Sequence, residues 1–259
     1  MRLVWGTDLH LDFVDDAAIR VLGAAFRAER PDAVVVTGDT SSAPRLARHL
    51  RSLGDAVGCP LWFVLGNHDF YGGSIAEVRA LAAGLPGWLP ACGVVPLTPR
   101  AALVGVDGWG DARLGRWRDT PVWLNDFVHI RELAGLPRAA VIDAVRRLGD
   151  AEAEALRVLL TRALPAFDEV IVATHVPPFE AACWHDGRVS DADWLPWFTC
   201  AATGEALVEA ARAWPDRSIT VLCGHTHGAG VARVAERLVV RTGGADYGRP
   251  AVAGVVEVA

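Results

Sequence analysis

Residues 32–39, DAVVVTGD, form a short apolar run that ends in a glycine and the carboxylate of Asp39. Four consecutive apolar residues, three of them β-branched valines, predict a buried β-strand. Helical patterns flank this run, over residues 15–30 before it and about 43–57 after it. A buried strand between two helices of this length is typical of an α/β fold with largely parallel strands.

The same succession, an apolar run followed by polar residues, recurs four more times along the chain. The polar residues at the five ends are, in chain order, Asp8 and His10, Asp39, Asn67 and His68, His175, and His225 with His227. In sheets of this kind, ligands bind beyond the carboxyl ends of the strands. Folding alone gives no reason for carboxylate, imidazole and amide groups to collect there, so the pattern indicates a ligand site.

Seven of these side chains can act as metal ligands. They are Asp8, His10, Asp39, Asn67, His175, His225 and His227. Oxygen and imidazole donors without thiolates favour manganese, iron or zinc over a structural zinc site. Seven ligands are too many for one ion of ordinary coordination. The sequence therefore predicts two divalent or trivalent metal ions that share a bridging carboxylate.

The second half of the chain continues the alternation of strands and helices. Apolar runs predict strands at residues 100–107, 169–173 and 219–223. Amphipathic patterns predict a long helix over 138–163 and a shorter one near 204–214. Short alternating strands complete the chain. No internal repeat, linker or low-complexity segment interrupts it, so we expect one domain over residues 1–259.

The motif order resembles that of the calcineurin-like metallophosphoesterase superfamily. The matching segments are Asp8-Leu9-His10, Gly38-Asp39, Gly66-Asn67-His68-Asp69, His175, and Gly224-His225-Thr226-His227. The resemblance covers residues 8–227 and lacks no core motif. It implies an α/β fold, namely a four-layer α/β/β/α sandwich with two central mixed sheets.

The resemblance also implies a role for each motif residue. One metal would take Asp8, His10 and His227, the other would take Asn67, His175 and His225, and Asp39 would bridge them. A metal-bridging hydroxide would attack the phosphorus of a phosphate ester, either a monoester or a diester of a small molecule or nucleotide. His68 would face the substrate and protonate the leaving group. Asp69 is a candidate to orient His68, and the alternative is a turn or capping residue.

One difference from a superfamily motif narrows the range of expected substrates. Its protein serine/threonine phosphatases carry Gly-Asp-x-x-Asp-Arg-Gly, whereas this chain has Gly38-Asp39-Thr40-Ser41-Ser42-Ala43-Pro44. The second aspartate and the arginine are absent. This argues against a phosphoprotein phosphatase of that branch.

Two tryptophan-rich segments, at about 108–127 and 176–200, predict long loops. One interpretation is a substrate cap in which aromatic rings stack on the substrate and arginines bind phosphate. The alternative is a satellite core beneath the loops. The candidate substrate contacts are Arg116, Trp184, His185 and Tyr71.

Composition excludes several other functions. All 25 basic residues are arginine, so neither a P-loop nor Schiff-base chemistry is available. A net charge of −6 argues against a broad nucleic-acid surface. No apolar run is long enough for a membrane span, and the N-terminus does not look like a signal peptide. The five scattered cysteines are therefore expected to be thiols in the cytoplasm, with a Cys183–Cys200 disulfide as the less favoured alternative.

Two alternatives remain for the function. A metal-dependent nuclease would use the same metals, although the acidic balance argues weakly against it. A non-catalytic protein-interaction scaffold of the same fold would show eroded ligands, and none of the seven positions is eroded. A small-molecule phosphate ester is therefore the expected substrate.

Overall fold

The computed structural model describes residues 1–259, which form twelve strands and eight α-helices. The strands are β1 (Arg2–Gly6), β2 (Ala33–Thr37), β3 (Leu61–Val64), β4 (Val95–Pro96), β5 (Ala101–Gly105), β6 (Glu169–Ala173), β7 (Trp184–His185), β8 (Arg188–Val189), β9 (Ser218–Cys223), β10 (Gly230–Ala235), β11 (Leu238–Thr242) and β12 (Gly254–Glu257). The helices are α1 (Asp16–Ala28), α2 (Ala43–Val57), α3 (Ile75–Ala83), α4 (Leu89–Cys92), α5 (Asp126–His129), α6 (Arg138–Ala163), α7 (Leu195–Phe198) and α8 (Ala201–Ala213). Short 3-10 helices lie at Leu11–Phe13, Asn67–Phe70 and Glu180–Ala182.

Two mixed sheets form the centre of the molecule. The first has the strand order β12-β1-β2-β3, and the second has the order β10-β11-β9-β6-β5-β4. Central neighbours such as β1 and β2, or β6 and β9, run parallel. The edge strands β12, β10 and β4 run antiparallel to their neighbours. A separate ribbon of β7 and β8 forms a two-stranded hairpin.

The apolar run that includes Val34, Val35 and Val36 is buried on both faces of its sheet. Val34 and Val36 pack with α1 and α2 in one core, while Val35 packs between the sheets with residues of β1 and β6. A third core joins the outer face of the second sheet to α6 and α8. Burial on both faces explains why the run is continuously apolar. The predicted four-layer α/β/β/α sandwich is confirmed.

Several predicted elements agree with the structure to the residue, among them α2, α6 and β6. The helix α8 begins at Ala201, three residues before the predicted start. The helix α3 was not predicted. The tryptophan-rich segment 176–200, predicted as a loop, also contains the β7–β8 hairpin and α7.

No helix combines the length and the apolarity that crossing a membrane requires. All five cysteines are free thiols, including Cys183 and Cys200. Burial raises the pKa of Cys183 to about 11 and that of Cys200 to about 12. Neither thiol is therefore activated near neutral pH.

A buried ion network ties α3 and α6 to the carboxyl ends of β3 and β5. The guanidinium of Arg79 bonds Asp107 through Nε at 3.0 Å and also pairs with Glu152. Asp107 further accepts hydrogen bonds from the backbone of Leu65 and the indole of Trp88, both at 3.0 Å. Both carboxylates are nearly inaccessible to solvent, so they depend on the single guanidinium.

Arg79→Leu should lower the free energy of unfolding by about 3–5 kcal/mol, because it leaves buried carboxylates without their counter-charge. Urea denaturation measures this loss. The matched control is Arg131→Leu, which removes an exposed pair with Glu77 and should change the midpoint little. Equal effects of the two substitutions would contradict the importance of the network.

Candidate metal centre

The predicted ligand residues converge where the two sheets meet. Three groups of side chains place ligand atoms within 4.8 Å of one another. The groups are Asp8 with His10 and His227, His10 with Asp39 and His68, and Asp39 with His175 and His225. Asn67 joins the last group through its Oδ1 atom, 3.0 Å from Nε2 of His175. The groups overlap at His10 and Asp39, so they form one continuous centre.

Most of these residues have unusual backbone conformations. Asp8, His10, Asp39, His225 and His227 all have positive φ angles, between 42° and 70°. This left-handed region is unfavourable for most residues, but aspartate and histidine tolerate it better than bulky or branched ones. The chain turns sharply at the end of each strand and presents the side chains to the shared space. Such strained positions cluster at functional sites.

The glycines of the motifs leave room for their neighbours. A Cβ atom on Gly66 would lie 2.2 Å from Oδ1 of Asp39, and one on Gly38 would lie 2.5 Å from Nδ1 of His175. At Gly224 it would lie 2.0 Å from Oδ2 of Asp8. All three distances are too short for a side chain. These glycines allow the ligand side chains of the two sheets to approach.

On one side of the centre, Asp8 and His227 belong to different sheets. Nε2 of His227 lies 3.5 Å from Oδ1 of Asp8 and 3.1 Å from Nε2 of His10. Asp8 also accepts hydrogen bonds from the hydroxyl of Thr7 at 2.6 Å and from the backbone of His225 at 3.0 Å. These bonds hold the carboxylate across the joint between the sheets.

On the other side, hydrogen bonds orient His175 and Asn67. Nδ1 of His175 donates to the carbonyl of Thr37 at 2.9 Å, so Nε2 faces the centre. The amide nitrogen of Asn67 donates to Asp126 at 2.8 Å, so its oxygen faces His175. Asp126 also accepts from the hydroxyl of Tyr71 at 2.5 Å. It lies inside the tryptophan-rich segment 108–127, and no motif in that segment indicated a residue that positions Asn67.

The two buried carboxylates of the centre have no arginine partner. Asp39 lies 3.3 Å from Nε2 of His175 and 3.8 Å from that of His10, and no arginine lies within 4.0 Å of Asp39 or Asp8. Burial raises the pKa of Asp39, but the surrounding imidazoles of His175, His68 and His10 together outweigh burial and hold the pKa well below its usual range. Asp39 in turn overcomes burial and raises the pKa of His175 to about 10. The carboxylates stay ionised and their only counter-charges are imidazoles, so the donor set fits bound cations.

His68 is the most accessible imidazole of the groups, with 23% of its side chain exposed. Its Nε2 lies 4.0 Å from Asp39, and its ring stacks on Tyr71 with centroids 4.2 Å apart. The carboxylate of Asp69 makes no hydrogen bond to the imidazole of His68. It accepts hydrogen bonds from the backbones of Ser41 and Gly66, both at 2.8 Å. Its carboxylate therefore acts as a cap for the turn, and the structure shows no contact through which it could orient His68.

A cleft above the centre contains residues that the sequence did not indicate. A cavity of about 170 Å³ covers Asp39 and His68, and an adjoining cavity of about 240 Å³ extends beyond His225. Phe198 and Tyr247 line both. The ring of Tyr247 lies 4.4 Å from that of His10. Tyr247 lies in the segment after β11. Its position after a strand was the sequence signal that could have identified it as a cleft residue.

Two of the four predicted substrate contacts line the cleft and two do not. Tyr71 lines the smaller cavity and His185 lines the larger one. Trp184 lines neither cavity and instead packs against Gly230. Arg116 lies outside both cavities, where it pairs with Asp119 at 3.1 Å and Asp193 at 3.4 Å. Arg116 and Trp184 thus do not reach the cleft in this structure, because local packing and ion pairs hold them elsewhere.

The sequence profile of the calcineurin-like phosphoesterases matches residues 1–229. The chain belongs to this family. It is accordingly a metal-dependent phosphoester hydrolase of a dimetal type. No curated protein sequence matches the chain.

Solved structures share its fold at low sequence identity. Phosphopantetheinyl hydrolase from Mycobacterium tuberculosis aligns with a TM-score of 0.64 and 15% identity, over 96% of this chain and 94% of that one. A dimetal phosphatase from Danio rerio aligns with a TM-score of 0.59 and 15% identity, over 94% and 87%. The anchor of the inner membrane complex of Plasmodium aligns with a TM-score of 0.53 and 13% identity, over 94% and 71%. At these identities the likeness concerns the fold.

Gly66→Ala should displace Asp39, because the new methyl group would overlap its carboxylate and backbone. We expect a loss of about 1–3 kcal/mol in unfolding free energy and a marked loss of bound metal. Urea denaturation and elemental analysis measure the two effects. Gly54→Ala, in the open surroundings of α2, is the control and should stabilise by about 0.5–1 kcal/mol. Full metal content in Gly66→Ala would contradict the steric argument.

Proposed function

We propose that the chain hydrolyses a phosphate ester of a small molecule or nucleotide at a centre of two metal ions, manganese, iron or zinc. The main support is the overlap of three ligand groups around Asp39 at the joint of the two sheets. The cleft above them has the dimensions of a small-molecule site, since its two cavities together fall within the range of about 300–1,000 Å³. A cleft of this size and an acidic chain favour a small substrate over nucleic acid.

In this proposal, one metal is held by Asp8, His10 and His227. The second is held by Asn67, His175 and His225, and Asp39 bridges the two. Asp39 is suited to bridging because it is the carboxylate in contact with both sides, within 3.8 Å of His10 and 3.3 Å of His175. When bound, the two cations supply a hydroxide nucleophile and neutralise the phosphoryl oxygens.

His68 is the proposed proton donor to the leaving group. Its ring lies beside the centre, partly exposed to the cleft, and Tyr71 stacks against it. A partly exposed imidazole beside the cleft is suited to donating a proton to a departing alkoxide. Asn67, the preceding residue, already supplies the ligand from that turn.

We further propose a single domain over residues 1–259, with the segments 108–127 and 176–200 forming a cap over the cleft. Both segments contribute residues to the cavity over Asp39 and His68, namely Leu124, Asn125 and Asp126 from the first and Phe198 from the second. A cytoplasmic location remains part of the proposal. It rests on the five free thiols.

Asp39→Asn should lower both metal content and turnover, because the amide cannot balance the charge of two cations held close together. Elemental analysis of the purified variant and turnover of 4-nitrophenyl phosphate measure the two effects. Asp55→Asn, an exposed site on α2, is the control and should behave as the unmodified protein. Two bound metals and normal turnover in Asp39→Asn would show that Asp39 does not bridge.

His68→Asn should keep both metals and the fold while slowing hydrolysis of an alkyl phosphate by about 100- to 10,000-fold. A nitrophenolate leaves readily without a proton, so 4-nitrophenyl phosphate hydrolysis should suffer least. Metal analysis and rates for both esters are the measurements.

The outcome distinguishes three roles for His68. Metal loss with equal damage to both esters would indicate a ligand, in line with its place in a group with His10 and Asp39. Equal damage with full metal content would indicate that His68 only binds a phosphate oxygen. Either result would overturn the assignment as a general acid.

A further inference from the structure

The larger cavity beside the metal centre contains a positive group that has no partner in the chain. Arg188 lines this cavity, and its guanidinium makes no ion pair or hydrogen bond with another residue. Arg116 of the other tryptophan-rich segment, by contrast, lies outside the cleft and pairs with Asp119 and Asp193. A free guanidinium beside a phosphate site is suited to a second anionic group, which its fork binds through two hydrogen bonds.

The β7–β8 hairpin positions this guanidinium. His185 and Arg188 are directly opposite in the register, so their side chains lie on the same face of the ribbon. The turn between them, Asp186 and Gly187, has positive φ angles at both residues, as tight two-residue hairpins require. The hairpin therefore presents an imidazole and a guanidinium together to the cavity.

The hairpin is fastened to the loop that carries two metal ligands. Nδ1 of His185 donates to the carbonyl of Thr226 at 2.9 Å, and Thr226 lies between His225 and His227. Trp184 packs so closely on Gly228 and Gly230 that a Cβ atom on either would come within 2.3 Å of it. These contacts hold the two basic side chains at a set position relative to the metal centre.

Two carboxylates provide opposing charge at this cavity. Asp186, exposed at the hairpin turn, lies 3.7 Å from Nε2 of His185 and makes no ion pair with Arg188. The one acidic lining residue is Asp191, whose carboxylate accepts a hydrogen bond from the backbone of Asp193 at 3.0 Å. Through this hydrogen bond, the Asp191 carboxylate stabilises the turn before α7. The remaining walls include the partly exposed rings of Trp194 and Tyr247, which can pack against the body of a substrate.

We propose that this cavity is a subsite for a second anionic group of the substrate, a phosphate or a carboxylate, bound by the guanidinium of Arg188. The substrate class is then a phosphate ester whose leaving group carries a further negative charge. This inference rests on the proposed function, because it takes the scissile phosphate to lie at the metal centre. It assigns to the 176–200 segment the role of selecting the substrate.

The test compares adenosine 3′,5′-bisphosphate with adenosine 5′-monophosphate on the manganese-loaded protein. The unmodified protein should prefer the bisphosphate in kcat/KM. Arg188→Ala should reduce this preference by about 10- to 100-fold, as expected for loss of a charge-assisted bond. Arg188→Lys should retain part of it, because it keeps the charge but not the fork. The control is Arg51→Ala, an exposed arginine of α2, which should leave the preference unchanged.

A second substrate pair distinguishes the two kinds of anion. Comparing 3-phosphoglycerate with glycerol 3-phosphate tests a carboxylate in place of the second phosphate. A preference that depends on Arg188 in either pair supports the subsite and identifies the anion. If neither pair shows a preference, or if Arg188→Ala and Arg51→Ala give the same ratios, the subsite is overturned.

Turnover of 4-nitrophenyl phosphate separates this inference from the proposed function. Its leaving group has no second anionic group, so Arg188→Ala should change its hydrolysis little. If the unmodified protein hydrolyses no ester, the proposed function fails, and calorimetric affinities for the same pairs then decide on the subsite. A loss of affinity confined to the doubly anionic compounds in Arg188→Ala would still support it, and its absence would overturn it.

Discussion

The centre of this molecule depends on the joint between its two sheets. Thr37 of the first sheet accepts a hydrogen bond from His175 of the second, and Asp8 of the first accepts one from the backbone of His225 of the second. Each bond crosses from one sheet to the other at the carboxyl ends of the strands. The side chains proposed to bind metal therefore also hold the two halves of the sandwich in register, and the buried network around Asp107 continues this joint away from the cleft.

The joint contains two buried carboxylates, and no arginine of the chain pairs with either of them. Asp8 and Asp39 are both almost completely buried, and burial disfavours an ionised carboxylate unless a counter-charge is close. The only counter-charges close to these carboxylates are imidazoles. The nearby carboxylate of Asp39 accounts for the raised pKa of His175. Cations resolve the same imbalance more completely. This explains why a protein with 25 arginines pairs none of them with Asp8 or Asp39.

The sequence predicted the elements and motifs that depend on local order. Continuous apolar runs indicated β2 and β6, amphipathic periodicity gave the bounds of α6, and each proposed ligand directly follows a strand. Residues that reach the cleft through tertiary packing were not predictable in this way. Asp126 and Phe198 lie in the four-residue helices α5 and α7, which are too short to show a periodic pattern. The placement of Arg116 away from the cleft follows from ion pairs formed by distant carboxylates such as Asp193.

The β7–β8 hairpin has a consequence for how such an enzyme can diversify. Its two strands pair with each other and with no strand of the central sheets, and its tip ends in a turn that makes no close contact at Gly187. Its base is fastened to the ligand loop mainly by Trp184 and His185. Residues at the tip can therefore be exchanged, or the turn lengthened, without altering the strands that precede the proposed metal ligands. Substrate preference and hydrolytic chemistry can in this way evolve as separate modules.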